Sequence, residues 1–237
     1  MTLALKLALG PLLLAQGRWT RWRTPVLPEA EGAREGRCGS GTALRLLIVG
    51  DSSAAGVGVS TQEVALAGQL TRALAQASGR CVHWRLVARS GATTAQALEL
   101  LREAAPHRPA DIAVAVLGVN DVVDQVPPPR ALQARAALTD WLRRETGARH
   151  VVHAALPPMH RFPALPQPLR AVMGLDARRH DRALKQWCEG RKDASYAWMG
   201  MDLSPEVMAH DGFHPAEPVY RHCGHALARH IVSYRLI

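Results

Sequence analysis

Four short blocks of this 237-residue chain carry groups suited to acyl transfer. In Gly50-Asp51-Ser52-Ser53 a glycine allows a sharp turn, and the serine beyond it can present its hydroxyl. A hydroxyl is a weak nucleophile until a base takes its proton. Asp211-Gly212-Phe213-His214-Pro215 offers one: the His214 imidazole can accept a proton near neutral pH, and Asp211, three residues earlier, can hold the ring. In Arg89-Ser90-Gly91-Ala92-Thr93, Gly91 lets a backbone N–H come close to a substrate oxygen, and Gly118-Val119-Asn120-Asp121 adds the Asn120 amide.

Taken singly, each block has an ordinary reading. Ser52 and Asn120 are common cap and turn residues, and Asp51 and Asp121 read as acceptors that stabilise loops. His214 beside Asp211 and His210 also fits a metal ligand, but third and fourth ligands at recognisable spacing are missing. Gly56-Val57-Gly58 lacks the lysine and spacing of a phosphate-binding loop. His83, His107, His150, His153, His160, His180, His222, His225 and His230 read as surface or satisfied structural groups.

Short apolar runs at Leu44 to Val49, Val82 to Ala88, Ile112 to Leu117, His150 to Ala155 and Ser195 to Met199 have the length of buried strands. Between and after them, helical spacing covers Thr61 to Ser78, Thr93 to Glu103, Pro129 to Glu145, Pro168 to Gly190 and Val219 to Ser233. Strands alternating with helices predict an α/β fold: a three-layer α/β/α sandwich around a five-stranded parallel sheet, flavodoxin-like in kind. Ligands in such sheets bind beyond the carboxyl ends of the strands, where the first three blocks fall. Residues 43–237 read as this domain. Residues 24–42, punctuated by Pro25, Pro28, Gly32, Gly36, Gly39 and Gly41, read as an extended connector.

In this order and at these strand ends, the four blocks resemble the SGNH hydrolase superfamily, also called the GDSL esterase/lipase family. Gly50-Asp51-Ser52-Ser53 matches its nucleophile block, Gly91 its second, Gly118-x-Asn120-Asp121 its third and Asp211-x-x-His214 its last, over about residues 44–235. The resemblance implies a carboxylic-ester hydrolase working through an acyl-serine intermediate without metal or organic cofactor. Ser52 would attack, His214 would take its proton and Asp211 would orient the ring. An oxyanion hole would come from the N–H groups of Ser52 and Gly91 and the Asn120 amide. An acyltransferase or thioesterase would use the same triad, and a binding module at a membrane surface could keep the fold without turnover. The implied substrate is a small-molecule acyl ester. The apolar segment from Pro157 to Leu175 reads both as a border of the acyl pocket and as a rigid surface loop.

The formal charge of +9 comes mostly from arginines dispersed along the chain, without the basic-aromatic patterning of a nucleic-acid binder. Cys38, Cys81, Cys188 and Cys223 form no CxxC pair and read as free thiols, one disulfide being open. Residues 1–23 are apolar up to Gln16, then interleave Arg18, Arg21 and Arg23 with Trp19 and Trp22. The stretch is too short to span a bilayer, and basic residues after an apolar segment resist export. It stays open between a helix at a membrane surface, a helix packed on the domain and a signal peptide. The expected location is cytoplasmic, or peripheral to the inner face of a membrane.

Overall fold

The computed structural model describes residues 8–104, 108–234 and 236, so His107 lies outside the described residues. A helix, α1 (Gly10–Arg23), precedes a short strand, β1 (Glu35–Cys38). There follow β2 (Ala43–Gly50), α2 (Ser52–Ala55), α3 (Leu66–Ser78), β3 (Cys81–Ala88), α4 (Thr94–Glu103), β4 (Ile112–Val116) and α5 (Val119–Val123). The remainder is α6 (Pro128–Thr146), β5 (His150–Ala154), α7 (Leu169–Cys188), β6 (Ala194–Ala197) and α8 (Glu217–Ser233).

The strands form one sheet in the order β1-β3-β2-β4-β5-β6. The last five of that order are parallel, as the alternation of apolar runs and helices predicts. β2 shows why the sheet is covered on both faces. Leu44, Leu46 and Ile48 enter one apolar cluster with α3 and α8, while Leu47 and Val49 enter a second with α4 and α6. A two-residue period thus divides one strand between two cores. α3 and α8 pack on each other over the first face; α4 and α6 pack over the second, where α7 lies against α6 and β6. Complete burial of side chains such as Leu70, Leu142 and Leu227 contributes roughly 1.5–3 kcal/mol each.

The strand count corrects the expected five. β1 lies within the stretch read as a connector and pairs antiparallel with β3, Glu35 opposite Arg85 and Cys38 opposite Val82. Three of its four residues, Glu35, Gly36 and Arg37, are exposed, so no apolar alternation marked it. Pairing with the otherwise open edge of β3 supplies its hydrogen bonds. α3 starts at Leu66, later than its periodic pattern suggests. Ahead of it the Gln62 amide donates to the carbonyls of Ala30 and Ala55, holding residues 61–65 in turns.

The Pro157 to Leu175 segment is less loop-like than its prolines suggest. It contains a single 3₁₀ turn, Met159–Arg161, and the first turns of α7, and it buries Met159, Phe162 and Leu165 in the core. All four cysteines are free thiols.

Candidate active site

β2 is flanked in the sheet by β3 and β4, so the turns that follow those three strands lie side by side at one sheet end. Gly50 closes β2 where a side chain has no room: a Cβ there would stand 2.6 Å from the Val116 carbonyl oxygen and 2.3 Å from Ala54 Cβ. The chain therefore bends at once into α2, and Ser52 is its first residue. Asp51 caps that turn, its carboxylate accepting from Ser53 N–H at 3.0 Å.

His214 reaches Ser52 from the far end of the sequence. Its Nε2 lies 3.1 Å from Ser52 Oγ, and its Nδ1 lies 2.5 Å from Asp211 Oδ2. The other oxygen of Asp211 accepts from the backbone N–H groups of Phe213 and His214, both at 2.9 Å. Burial opposes the charge on Asp211. The hydrogen bonds from the His214 ring and from these two N–H groups outweigh it and hold the carboxyl below its ordinary range. An ionised Asp211 fixes Nδ1 as the protonated nitrogen and leaves Nε2 free to accept from the Ser52 hydroxyl. The loop carrying His214 is anchored on both sides. Ala209 N–H donates to the His214 carbonyl at 2.8 Å, and the Tyr220 hydroxyl of α8 donates to the Val57 carbonyl at 2.6 Å, tying α8 to the segment after Ser52.

Gly91 is exposed on the turn after β3, with φ +78°, a left-handed conformation that suits glycine. Asn120, in α5 after β4, is half-buried, and its amide donates to the Ala92 carbonyl at 3.1 Å. That bond joins the second and third blocks and leaves the second amide hydrogen unassigned. Asp121 accepts from Thr94 twice, from N–H at 3.0 Å and from Oγ1 at 2.5 Å, closing the same pair of turns from behind.

Two supporting residues were not legible in the sequence. Glu29, from the stretch read as connector, accepts from Ser90 N–H at 2.7 Å and from Ser90 Oγ at 2.8 Å, and it is ion-paired to Arg34. It thereby holds the turn that carries Gly91. Arg135 of α6 is 3% exposed, and its guanidinium donates to the Leu117 carbonyl at 2.8 Å, directly ahead of the third block. Both look like surface charges in the sequence. The one available signal was position, since Glu29 ends a proline-bounded stretch and Arg135 lies on the α6 face shared with Leu138 and Leu142.

An apolar cavity of about 60 Å³ opens beside Ser52 and His214, walled by Leu66, Phe162, Met199, Met208 and Phe213. Of the Pro157 to Leu175 segment, Pro157 and Phe162 line it. A larger cleft, about 470 Å³, lies toward the amino-terminal ends of β2 and β3 between Arg37, Arg45 and Arg85, and contains none of these groups. Among the described residues no three His, Cys, Asp or Glu side chains are grouped to hold a metal.

The profile of the GDSL-like lipase/acylhydrolase family matches residues 48–222, from the end of β2 into α8. The chain belongs to that family. Solved structures of similar fold include the lipase Lip_vut3 from a goat rumen metagenome, 19% identical, with a TM-score of 0.62 over 78% of this chain and 95% of that one. An inhibitor-bound aryl esterase of M. smegmatis is 20% identical, with a TM-score of 0.59 over 80% of this chain and 99% of its own. A family 3 carbohydrate esterase of Clostridium thermocellum is 16% identical, at 0.62 over 81% and 97%. Among curated proteins no match is found. At these identities the shared property is the fold, and it is the α/β/α sandwich of GDSL hydrolases.

Proposed function

We propose that the chain hydrolyses carboxylic esters through an acyl-serine intermediate. The observation that carries this reading is the position of His214, bonded through Nε2 to Ser52 and through Nδ1 to Asp211. In the first step Ser52 Oγ bonds to the acyl carbon while its proton passes to His214 Nε2. The carbonyl oxygen takes the negative charge and receives hydrogen bonds from the N–H groups of Ser52 and Gly91 and from the second amide hydrogen of Asn120. The C–O bond to the alcohol then breaks, and the alcohol leaves with the proton held by His214. Water, deprotonated by the same imidazole, releases the acid and restores Ser52. Asp211 stays ionised throughout and stabilises the imidazolium formed in each half-reaction.

The apolar walls of the cavity beside Ser52 support an apolar acyl group. Family membership supports hydrolysis, and the neighbours of similar fold are esterases and a lipase. A fluorophosphonate probe tests the reading directly. The expected result is covalent modification at Ser52 in the native chain and none in Ser52→Ala, with hydrolysis of an activated ester lost in step and the thermal midpoint unchanged. Full turnover by Ser52→Ala would overturn it.

A further inference from the structure

Helix α1 presents two different faces. Inward, Thr20 is buried, Leu13 packs against the main core and Gln16 clamps the start of α7. Its Nε2 donates to the Gln167 carbonyl at 2.7 Å, and its Oε1 accepts from Leu169 N–H at 3.1 Å. Outward, Leu12, Ala15, Trp19 and Trp22 follow at i, i+3, i+7 and i+10, a spacing that aligns side chains along one helix face. All four are exposed, Trp22 by 84%. Of seven exposed large apolar side chains among the described residues, five (Leu12, Leu14, Trp19, Trp22 and Val26) belong to this helix and the turn after it. Apolar residues scattered over a surface are ordinary, but a concentration of this kind marks an interaction site.

The charge around the stripe identifies the partner. At about 100° per residue, Arg23 flanks the stripe on one side and Arg18 on the other, with exposed Leu14 and Arg21 farther round the same side as Arg18. Arg23 lies over the Trp19 ring, 5.2 Å from its centroid. No Asp or Glu occurs before Glu29. A second copy docking through this face by a two-fold axis would oppose arginines to arginines. A surface of anionic headgroups would neutralise them, and each basic residue close to such a surface strengthens binding roughly fivefold. Among the described residues no helix is long and apolar enough to cross a membrane.

We propose that the outward face of α1 docks the protein on the surface of a membrane rich in anionic lipid. Trp19 and Trp22 sit at headgroup level, and Arg18, Arg21 and Arg23 meet the phosphates. The inward face fastens the docked helix to the segment before α7. That segment bears on the loop of His214: Ala164 N–H donates to the Gly212 carbonyl at 3.0 Å, and the Phe162 and Phe213 rings meet edge-on at 5.0 Å. The lipid-facing helix and the wall of the apolar cavity therefore share one frame. The docking itself does not depend on the ester reading.

Co-sedimentation of the full chain with two kinds of vesicle tests this: phosphatidylcholine alone, and phosphatidylcholine mixed with phosphatidylglycerol. The expected result is about tenfold or greater preference for the mixed vesicles, weakened by salt. Binding to the mixed vesicles should fall about tenfold or more both in Trp19→Ser/Trp22→Ser and in Arg18→Gln/Arg21→Gln/Arg23→Gln. Turnover of a water-soluble short ester and the thermal midpoint should stay at native values. Should either multiple variant lose its native midpoint, Trp22→Ser alone decides, because so exposed a side chain contributes little to the fold. Binding by the variants equal to native, equal binding to both vesicles, or a Trp22-dependent dimer without lipid binding would each overturn the proposal.

Discussion

Among the described residues two serines are hydrogen-bonded to histidine rings, and their surroundings differ. Ser52 lies at the carboxyl end of β2, half-buried and beside a cavity, and meets an imidazole whose other nitrogen is held by a carboxylate. Ser195 lies at the opposite sheet end, bridging His150 Nε2 at 2.9 Å and His230 Nε2 at 2.8 Å. His150 Nδ1 faces the Lys192 carbonyl at 3.1 Å, an oxygen that only accepts, so Nδ1 carries the proton and Nε2 accepts from Ser195. Ser195 in turn accepts from His230. It has a base as near as Ser52 has, yet it is 4% exposed, and among the described residues no carboxylate is hydrogen-bonded to either ring. A serine–histidine contact is thus a common structural bridge. An adjoining apolar cavity, partial exposure and a carboxylate behind the ring distinguish the other.

The contrast can be broken most directly by removing each hydroxyl. Ser52→Ala should lower ester turnover by about 10⁴-fold or more. Ser195→Ala should leave turnover near native and cost about 1–3 kcal/mol of stability, because ring nitrogens of buried His150 and half-buried His230 lose their partner. A large loss of kcat in Ser195→Ala would erase the distinction. Next in size, Asn120→Ala should reduce kcat by roughly 10²–10³ if the amide serves the oxyanion. A loss confined to KM would assign it to substrate binding instead.

Acid should separate the two ends by the sign of its effect on stability. Burial pushes Asp51 up to about 6 from its ordinary 3.8, against the pull of Ser53 N–H, His214 and Arg135. The folded state therefore binds this proton more readily than the unfolded chain, and the stability tied to Asp51 grows as pH falls through that window. Asp51→Asn should stabilise the fold by up to about 3 kcal/mol near pH 8, the gain fading toward pH 4. At the other end, burial and the neighbouring His150 push His230 down to about 4 from 6.5, so stability tied to it is lost as pH falls between those values. His230→Gln should flatten the decline of the thermal midpoint across that range. Parallel slopes in the two variants would refute the opposition.

The smallest effect is expected from Glu29→Gln, which weakens the hold on Ser90 and with it the placement of Gly91. Turnover should fall by roughly tenfold or less with KM little changed, since the amide oxygen introduced there can still accept from Ser90 and a neutral hydrogen bond contributes only about 0.5–1.5 kcal/mol. Native kcat would detach the arm from the site.

The central parallel strands were readable because they are apolar on both faces, as Leu46 to Val49 and Ile112 to Val116 show. β1 escaped because an edge strand with its side chains in solvent owes its place to backbone pairing, which leaves no mark on residue type. The same division holds at the candidate site. Ser52, Gly91, Asn120, Asp211 and His214 stood out because their side chains or backbone freedom suit particular chemistry. Glu29 and Arg135 act on backbone groups far away in sequence, and only the folded topology brings those groups within reach.

Ser52 and His214 meet across 162 residues. As the chain is made from its amino end, β2, β3 and β4 can pair while the His214 loop is still unsynthesised. The Ser52 hydroxyl is then an ordinary alcohol, unable to attack an ester or to be trapped by an acyl group. The imidazole comes within reach of Ser52 only when the final helix docks on α3 and delivers the loop ahead of it. On the proposed reading, nucleophilicity in this chain is therefore a late event of folding, and it reports that the whole domain has closed.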